Sequence, residues 1–410
     1  MKNANLQRSL FRFMKLGFVV LLVIQCFYVA VGALRYPVHH IDVWSHWFYK
    51  PELLSVCKPT IQELKTKSDM FLINVPEYPL FSTVIYFVFR VLLPDPQYAL
   101  ISLIGPIMYV IVLVVAGFTL LNIFRMQQVE KRYRSVFTLA SVYFYSMFGP
   151  LLAQGGRLHA GMVDIWLTLG YWLILFISVT GRRAFATLWV LAAILPQIKR
   201  EGVLVVLLFL FLPFFSGKMT PLQRIILMMI TLGSYLIWQV VFGLTGIDST
   251  VSMLLYSIPE IGARAWGMVL EVSKELLNFK NWYLFWVVFA ISGFRFDMVP
   301  KKNNKTSLLF RLNTIFFLFL MSVVVIYLSS SIPIQGYLES TFDRLLLQVS
   351  PIWFSIFLLR ILRIFRPITH DLLLTDVRQA KAREVGVVSQ TPPIPQNPSP
   401  DNLPLLVDES

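Results

Sequence analysis

Charged residues are scarce in this 410-residue chain: Asp, Glu, Lys and Arg make up 14% of it, whereas 57% of the residues are hydrophobic. A composition so poor in charge excludes an ordinary soluble domain. The chain has fewer acidic than basic residues, 22 Asp and Glu against 36 Lys and Arg. The basic residues lie mostly between long apolar runs. We therefore expect a polytopic membrane protein whose loops contact lipid headgroups, and no nucleic-acid partner.

Other absences narrow the function. The chain has only two cysteines, Cys26 within the first apolar run and Cys57 after it, so a disulfide framework is not indicated. It contains no P-loop and no glycine-rich dinucleotide signature, which disfavours an ATP-driven pump. No long internal repeat is present either, so the sequence does not indicate the two related halves that many transporters have.

Charge and hydropathy together predict the membrane topology. The apolar residues 16–34 follow Arg8, Arg12 and Lys15, so the positive-inside rule places the N-terminus in the cytoplasm; a cleaved secretory signal is the alternative. Residues 184–217 are predicted to form two short helices that meet at a polar outer turn. Further spans are predicted at 99–122, 135–152, 163–180, 225–243, 281–295, 311–329 and 350–365.

Two segments are predicted to lie beside the bilayer. If residues 79–94 crossed it, the basic loop 125–134 would fall outside, so we interpret 79–94 as a juxtamembrane or half-buried helix. Residues 262–280 carry apolar side chains at helical spacing and are predicted to form a helix on the outer surface.

The predicted fold is therefore all-α, with about ten transmembrane helices and outer juxtamembrane helices in the first loop. Residues 1–367 form the membrane domain, with 35–98 as the first outer loop. Residues 368–410 form a disordered, proline-rich cytoplasmic tail. Both termini would be cytoplasmic, and the bacterial inner membrane is the expected location.

The first outer loop contains a carboxylate among aromatic and histidine side chains. Asp42 lies close to His39, His40, Trp44 and His46. Burial against aromatic rings at the membrane surface would suit a general base, while a helix-capping Asp is an equal alternative. The histidines could in principle hold a divalent cation, but we expect no obligatory metal.

A second group of polar residues opens the span at 163–180. Asp164 can cap that helix, and Arg157 and His159 in the preceding loop can form an anion site.

Lys199, Arg200 and Glu201 interrupt about thirty otherwise apolar residues. At the bilayer centre each charge would cost about 2.5–3.5 kcal/mol, so these side chains should face a polar cavity or one another. A structural Lys–Glu or Arg–Glu pair is the alternative to a functional role. Arg344, before the last span, can hold a phosphate through forked hydrogen bonds or simply reach the headgroups as an arginine at a helix start.

Five elements occur in order along residues 10–366: Asp42, Tyr78-Pro79-Leu80, Val163-Asp164-Ile165, Lys199-Arg200-Glu201-Gly202, and Arg344-Leu345-Leu346 leading to Pro351. In these elements the chain resembles the GT-C integral-membrane glycosyltransferases, of the protein O-mannosyltransferase and aminoarabinose-transferase type. The resemblance implies a GT-C-like fold. It also implies an inverting transfer of a sugar from a polyprenyl phosphate to a glycan, lipid or protein acceptor at the outer face.

The resemblance also implies residue roles. Asp42 would take the proton of the acceptor, and the donor phosphate would be bound by Lys199, Arg200, Arg344 and Arg157. Substrate-binding or supporting roles fall to His46, Tyr78, His159, Asp164 and Glu201. No cofactor is implied. Two other classes stay open: a transporter or flippase of a lipid-linked sugar, and a non-catalytic assembly subunit that shares the fold.

Overall fold

The computed structural model describes residues 2–35, 81–92, 102–157, 163–180, 184–212, 219–245, 256, 258–293, 304–330 and 334–363. These residues are almost wholly helical, which confirms the predicted all-α class. Met1–Leu359 form one compact unit, which contains every contact of the site below. Arg360–Ser410 form a second unit, of which Arg360–Arg363 are described, so the predicted disorder of 368–410 lies outside the described residues.

Fifteen helices follow one another in the described residues. They are α1 (Lys2–Arg35), α2 (Phe81–Leu92), α3 (Ile104–Met126), α4 (Lys131–Ser146), α5 (Gly149–Leu152), α6 (Asp164–Thr180), α7 (Phe185–Ile198), α8 (Val205–Phe211), α9 (Pro221–Thr245), α10 (Ile258–Leu276), α11 (Phe279–Trp282), α12 (Phe285–Gly293), α13 (Asn304–Ser329), α14 (Ile334–Gln348) and α15 (Ser350–Arg363).

Four of the described helices are long and apolar enough to cross a bilayer, at Ser9–Arg35, Ile104–Met126, Pro221–Val240 and Leu308–Ser329. Two bent pairs raise the number to six if each pair forms one span. The described residues thus contain four to six candidate spans, and the larger predicted number stays a prediction. They are compatible with an integral membrane protein.

The exposed faces of the long helices are apolar. Phe27 on α1 is 70% exposed, and Met229 and Ile237 on α9 are also largely exposed. A contiguous apolar surface of this size would be costly in water, whereas a bilayer covers it without cost because the lipid tails are equally apolar. Only 11% of the apolar window is buried within the protein in α1 and in α9, so most of the contact area of these two helices is available to lipid.

Both bends coincide with a proline. The helix α4 ends at Ser146 and the chain turns by 75° before Pro150, and α14 ends at Gln348 and the chain turns by 64° before Pro351. Proline has no N–H to donate and its ring clashes with the preceding turn, so it ends one helix and fits the first turn of the next. The hydroxyl groups of Tyr145, at the end of α4, and Ser350, at the start of α15, share a 2.5 Å hydrogen bond. This bond connects the two bent regions.

The two short helices predicted within 184–217 are present as α7 and α8. A 3₁₀ turn, Arg200–Leu204, separates them, and Lys199 at the junction is extended (φ −158°, ψ 151°). Pro196 lies near the end of α7. At the junction the backbones are in close contact, because a side chain on Gly202 would lie 2.0 Å from the carbonyl oxygen of Leu195.

The predicted span 281–295 differs from the structure. The helices α11 and α12 are separated at Tyr283, whose φ is positive (54°), and α12 is described as far as Gly293. Nine residues of α-helix cover about 14 Å, less than half of a hydrocarbon core of about 30 Å. The described part of this segment therefore does not cross a bilayer as one helix.

The two segments predicted beside the bilayer are helical. Of the first segment, the structure describes the 12 residues of α2, or about 18 Å of helix, so whether it crosses the bilayer stays a prediction. In α10, Met268 is buried as its apolar spacing predicted, but Val269 is 55% exposed and Trp266 is 66% exposed. The helix thus has apolar side chains on both its packed and its exposed faces, as expected for a helix at a lipid interface.

The close contact at Gly202 gives a stability test. We expect Gly202→Ala to destabilise the protein by about 2 kcal/mol, since the new methyl group would force backbone to move. The control is Gly267→Ala in α10, where nothing lies within 4 Å of the added carbon and the helix should gain about 0.5–1 kcal/mol. Unfolding by SDS in mixed micelles measures both, and equal stabilities of the two variants would contradict the close packing.

Candidate functional site

The site is built around Asp164, the first residue of α6, which is fully buried. Four side chains donate hydrogen bonds to its carboxylate. Lys199 Nζ (2.8 Å) and Gln348 Nε2 (2.5 Å) contact Oδ1, and Arg344 Nε (2.9 Å) and Gln154 Nε2 (3.2 Å) contact Oδ2. These contacts join four separate segments of the chain. We call Asp164, Gln154, Lys199, Glu201, Arg344 and Gln348 the Asp164 cluster.

The break between α7 and α8 positions Lys199. Its extended backbone lies between a helix end and the 3₁₀ turn, and its side chain is 3% exposed. Its ammonium group also contacts Glu201 Oε1 at 3.3 Å. The charged run that interrupts the apolar segment therefore points at least two of its side chains into the protein, as the cost of burial in lipid requires.

Helical spacing positions the next two residues. Arg344 and Gln348 are four residues apart on α14, so their side chains lie on the same face and both reach Asp164. Arg344 is 6% exposed. The hydroxyl of Thr168 bonds to the carbonyl oxygens of Asp164 and Leu347, at 3.0 and 3.1 Å, and holds α6 against α14.

Gln154 comes from the turn Ala153–Arg157, which has π-helical geometry after the bend at Pro150. Two glycines allow this turn to approach α3. A side chain on Gly105 would lie 3.0 Å from the carbonyl oxygen of Gln154, and one on Gly155 would lie 2.8 Å from the ring of Tyr109. The close packing fixes the turn, and with it the Gln154 amide.

The cluster is electrically balanced. Its two carboxylates, Asp164 and Glu201, face two cations, Lys199 and Arg344, so its formal charge is zero. A buried charge is tolerated only when it is paired and hydrogen-bonded, and Asp164 meets both conditions. The hydrogen bonds of Asp164 go to side chains from other segments, which helix capping alone does not require.

A further carboxylate lies beside the cluster. Asp343 is half-buried and accepts a 2.7 Å hydrogen bond from the backbone N–H of Arg344. Glu275, in α10, accepts hydrogen bonds from Asn281 (2.7 Å) and Trp282 (2.8 Å). The carboxyl groups of Asp343, Glu275 and Asp164 are close enough to interact electrostatically.

The structure brings together four of the predicted site residues, Asp164, Lys199, Glu201 and Arg344. Arg200 starts the adjacent 3₁₀ turn and is half-buried. Asp42, His46, Tyr78 and His159 lie outside the described residues, as does the side chain of Arg157. The two predicted phosphate ligands Lys199 and Arg344 each already have a carboxylate partner, which their sequence positions did not indicate.

Sequence reasoning missed Gln154, Gln348 and Asp343. Gln348 could have been found, because it lies one turn after Arg344 in an apolar run. Gln154 stands alone among apolar residues just before two glycines, and nothing in its position indicates a partner 10 residues away.

Within the part of the chain that the structure describes, no group of three or more His, Cys, Asp or Glu side chains could hold a metal ion. Comparison of the chain with protein-family models, with curated proteins and with solved structures gives no match.

Removal of the central carboxylate should be costly. We expect Asp164→Ala to lower the free energy of unfolding by about 3–5 kcal/mol, since Lys199 and Arg344 would be left buried without their shared partner. Glu130→Ala is the control, because Glu130 pairs with Arg132, both side chains are 49% exposed, and such a pair contributes about 0–1 kcal/mol. SDS titration measures both variants, and equal losses would show that the buried pairs do not stabilise the fold.

Proposed function

We propose that this protein is an integral-membrane glycosyltransferase that moves a sugar from a polyprenyl phosphate to an acceptor at the outer face of the membrane. The observation that carries the proposal is the Asp164 cluster, in which buried cations and carboxylates from distant helices meet at helix ends and breaks. The order of the five sequence elements that resemble the GT-C enzymes supports the same class.

The proposed reaction is a displacement at the anomeric carbon of the sugar. The acceptor hydroxyl oxygen forms a bond to that carbon while the bond from the carbon to the phosphate oxygen breaks. Asp42 takes the acceptor proton, and the polyprenyl phosphate leaves with the bonding electron pair. Positive charge near the departing oxygen lowers the barrier, because negative charge develops there in the transition state.

Asp164 would act as the positioning residue for that charge. Each of its carboxylate oxygens holds one cation, Lys199 on Oδ1 and Arg344 on Oδ2, within 3 Å. Cations held in this way need no reorganisation during the reaction, which is the main requirement of electrostatic catalysis. Arg200, next to Lys199 and half-buried, is the cation that we assign to direct contact with the donor phosphate.

The two bent helix pairs favour a second candidate, a transporter or flippase of a lipid-linked sugar. Broken helices and buried charges are common in transporters, where they line the substrate path. Gln154 and Gln348, both of which contact Asp164, lie at or just before such bends. Consumption of the donor is what separates the two functions.

The decisive variant is Asp42→Asn. We expect it to lower sugar transfer by about 100–10,000-fold, because the amide cannot take the acceptor proton, with folding and donor binding unchanged. The measurement is formation of free polyprenyl phosphate by protein reconstituted in liposomes, with mannose- and aminoarabinose-linked polyprenyl phosphates as donors and a membrane extract as acceptor.

Asp69→Asn is the matched control, since it makes the same change in the same predicted loop and should retain full activity. Full activity of Asp42→Asn would remove the proposed base. Movement of the donor across the liposome membrane without its consumption would identify a transporter instead.

A further inference from the structure

The Asp164 cluster contains three buried oxygen atoms without a hydrogen-bond partner: Gln154 Oε1, Gln348 Oε1 and Glu201 Oε2. Gln154 is 1% exposed and Gln348 is 0% exposed. Each atom belongs to a side chain whose other polar atom is fixed within the cluster. A buried acceptor without a donor is costly and rare in folded proteins, so three in one cluster indicate donors that the described side chains do not supply.

The orientation of both amides is set by Asp164. An ionised carboxylate only accepts hydrogen bonds, so each glutamine must present its Nε2 to Asp164 and its Oε1 away from it. Glu201 is oriented in the same way, because Lys199 Nζ holds Oε1 and leaves Oε2 without a donor. The three unpartnered atoms are therefore acceptors by necessity, whichever way the amides are assigned.

The charge balance decides which donor fits. Lys199 and Arg344 already neutralise Asp164 and Glu201, so the cluster carries no net negative charge to attract a metal cation. An ionised phosphate has no hydrogen to donate to these oxygens. A neutral hydroxyl group donates, and it can accept as well. The hydroxyl of Tyr171, which is buried, without a partner and electrostatically coupled to Glu201, can be its donor.

We propose that Gln154, Gln348 and Glu201 form a subsite that accepts hydrogen bonds from the hydroxyl groups of a sugar. The inference rests on the proposed function, and it assigns these atoms to the sugar of the donor lipid and not to its phosphate. In this arrangement Asp164 has two tasks: it holds the cations, and it binds the amide nitrogens of both glutamines, which leaves their oxygens as acceptors for the ligand.

Glu201→Gln tests the subsite most sharply. Lys199 requires an acceptor, so the new amide turns its oxygen to Lys199 and replaces the unpartnered Oε2 with an NH₂ donor. The matched control is Glu271→Gln, which makes the same change in a Glu–Lys pair on α10. Tyr171→Phe is a second variant, which removes one hydroxyl and leaves the charges of the cluster intact.

The measurement is binding to protein in nanodiscs, by competition with a fluorescent polyprenyl phosphate. The probes are a polyprenyl phosphate without a sugar and the same lipid bearing mannose, glucose, galactose or aminoarabinose. The expected result is that the wild type prefers one sugar-bearing lipid. Glu201→Gln should lower that preference about 10-fold, and Tyr171→Phe, which keeps the charges of the cluster, should lower it less and leave the affinity for the bare lipid unchanged.

Each other outcome overturns the subsite. An equal loss for both lipids would mean that Glu201 acts on the phosphate or the fold. Unchanged preference in Glu201→Gln and Tyr171→Phe would mean that water alone fills the space. A wild type that binds the bare and sugar-bearing lipids equally would refute the subsite and leave the phosphate part of the proposed function standing. A wild type that binds neither lipid would refute both.

Discussion

The fold at this site depends on one interaction, the sharing of the Asp164 carboxylate between Lys199 and Arg344. The three residues belong to α6, to the break between α7 and α8, and to α14, and none of them is more than 6% exposed. Since an unpaired charge in this position would carry a large desolvation penalty, Asp164 depends on its two cations, and both cations are stabilised by Asp164. The helices are interrupted near Pro150, Lys199 and Pro351. These interruptions place Gln154, Lys199 and Gln348 close to the Asp164 carboxylate.

This arrangement also explains why chemistry and stability are hard to separate at such a site. In the proposed function, the groups that stabilise a developing charge are the same ones whose hydrogen bonds connect the helices in the protein alone. Rigid, pre-oriented dipoles and cations are what electrostatic stabilisation of a transition state requires. The cost is that several polar atoms of Gln154, Glu201 and Gln348 are left without partners in the protein alone.

Much of the fold follows from the sequence, because the length of an apolar run and the periodicity of side chains are local properties. The all-helical class, the two short helices around Lys199 and the helix at α10 could all be predicted in this way. The break at Tyr283 could not, since it depends on a positive φ that no local pattern in this segment indicates.

The site was partly predictable for a similar reason. Lys199, Arg200 and Glu201 are conspicuous as charges in apolar surroundings, and the expense of burying them predicts that they face a polar cavity or one another. That Lys199 and Arg344 would converge on a single carboxylate depends on tertiary packing. The contacts of Gln154 and Gln348 with Asp164 also depend on tertiary packing. Both side chains are neutral, so the cost of burying a charge does not single them out in the sequence.

The separation of these residues along the chain has a consequence for biosynthesis. Lys199 follows Asp164 by 35 residues, so this pair can form soon after both have left the ribosome, whereas Arg344 follows Asp164 by 180 residues. During the interval the nascent protein holds an acid–base pair that has not yet received its second cation. A chain that stops short of α14 therefore lacks the second cation of Asp164, and its buried carboxylate is only partly paired.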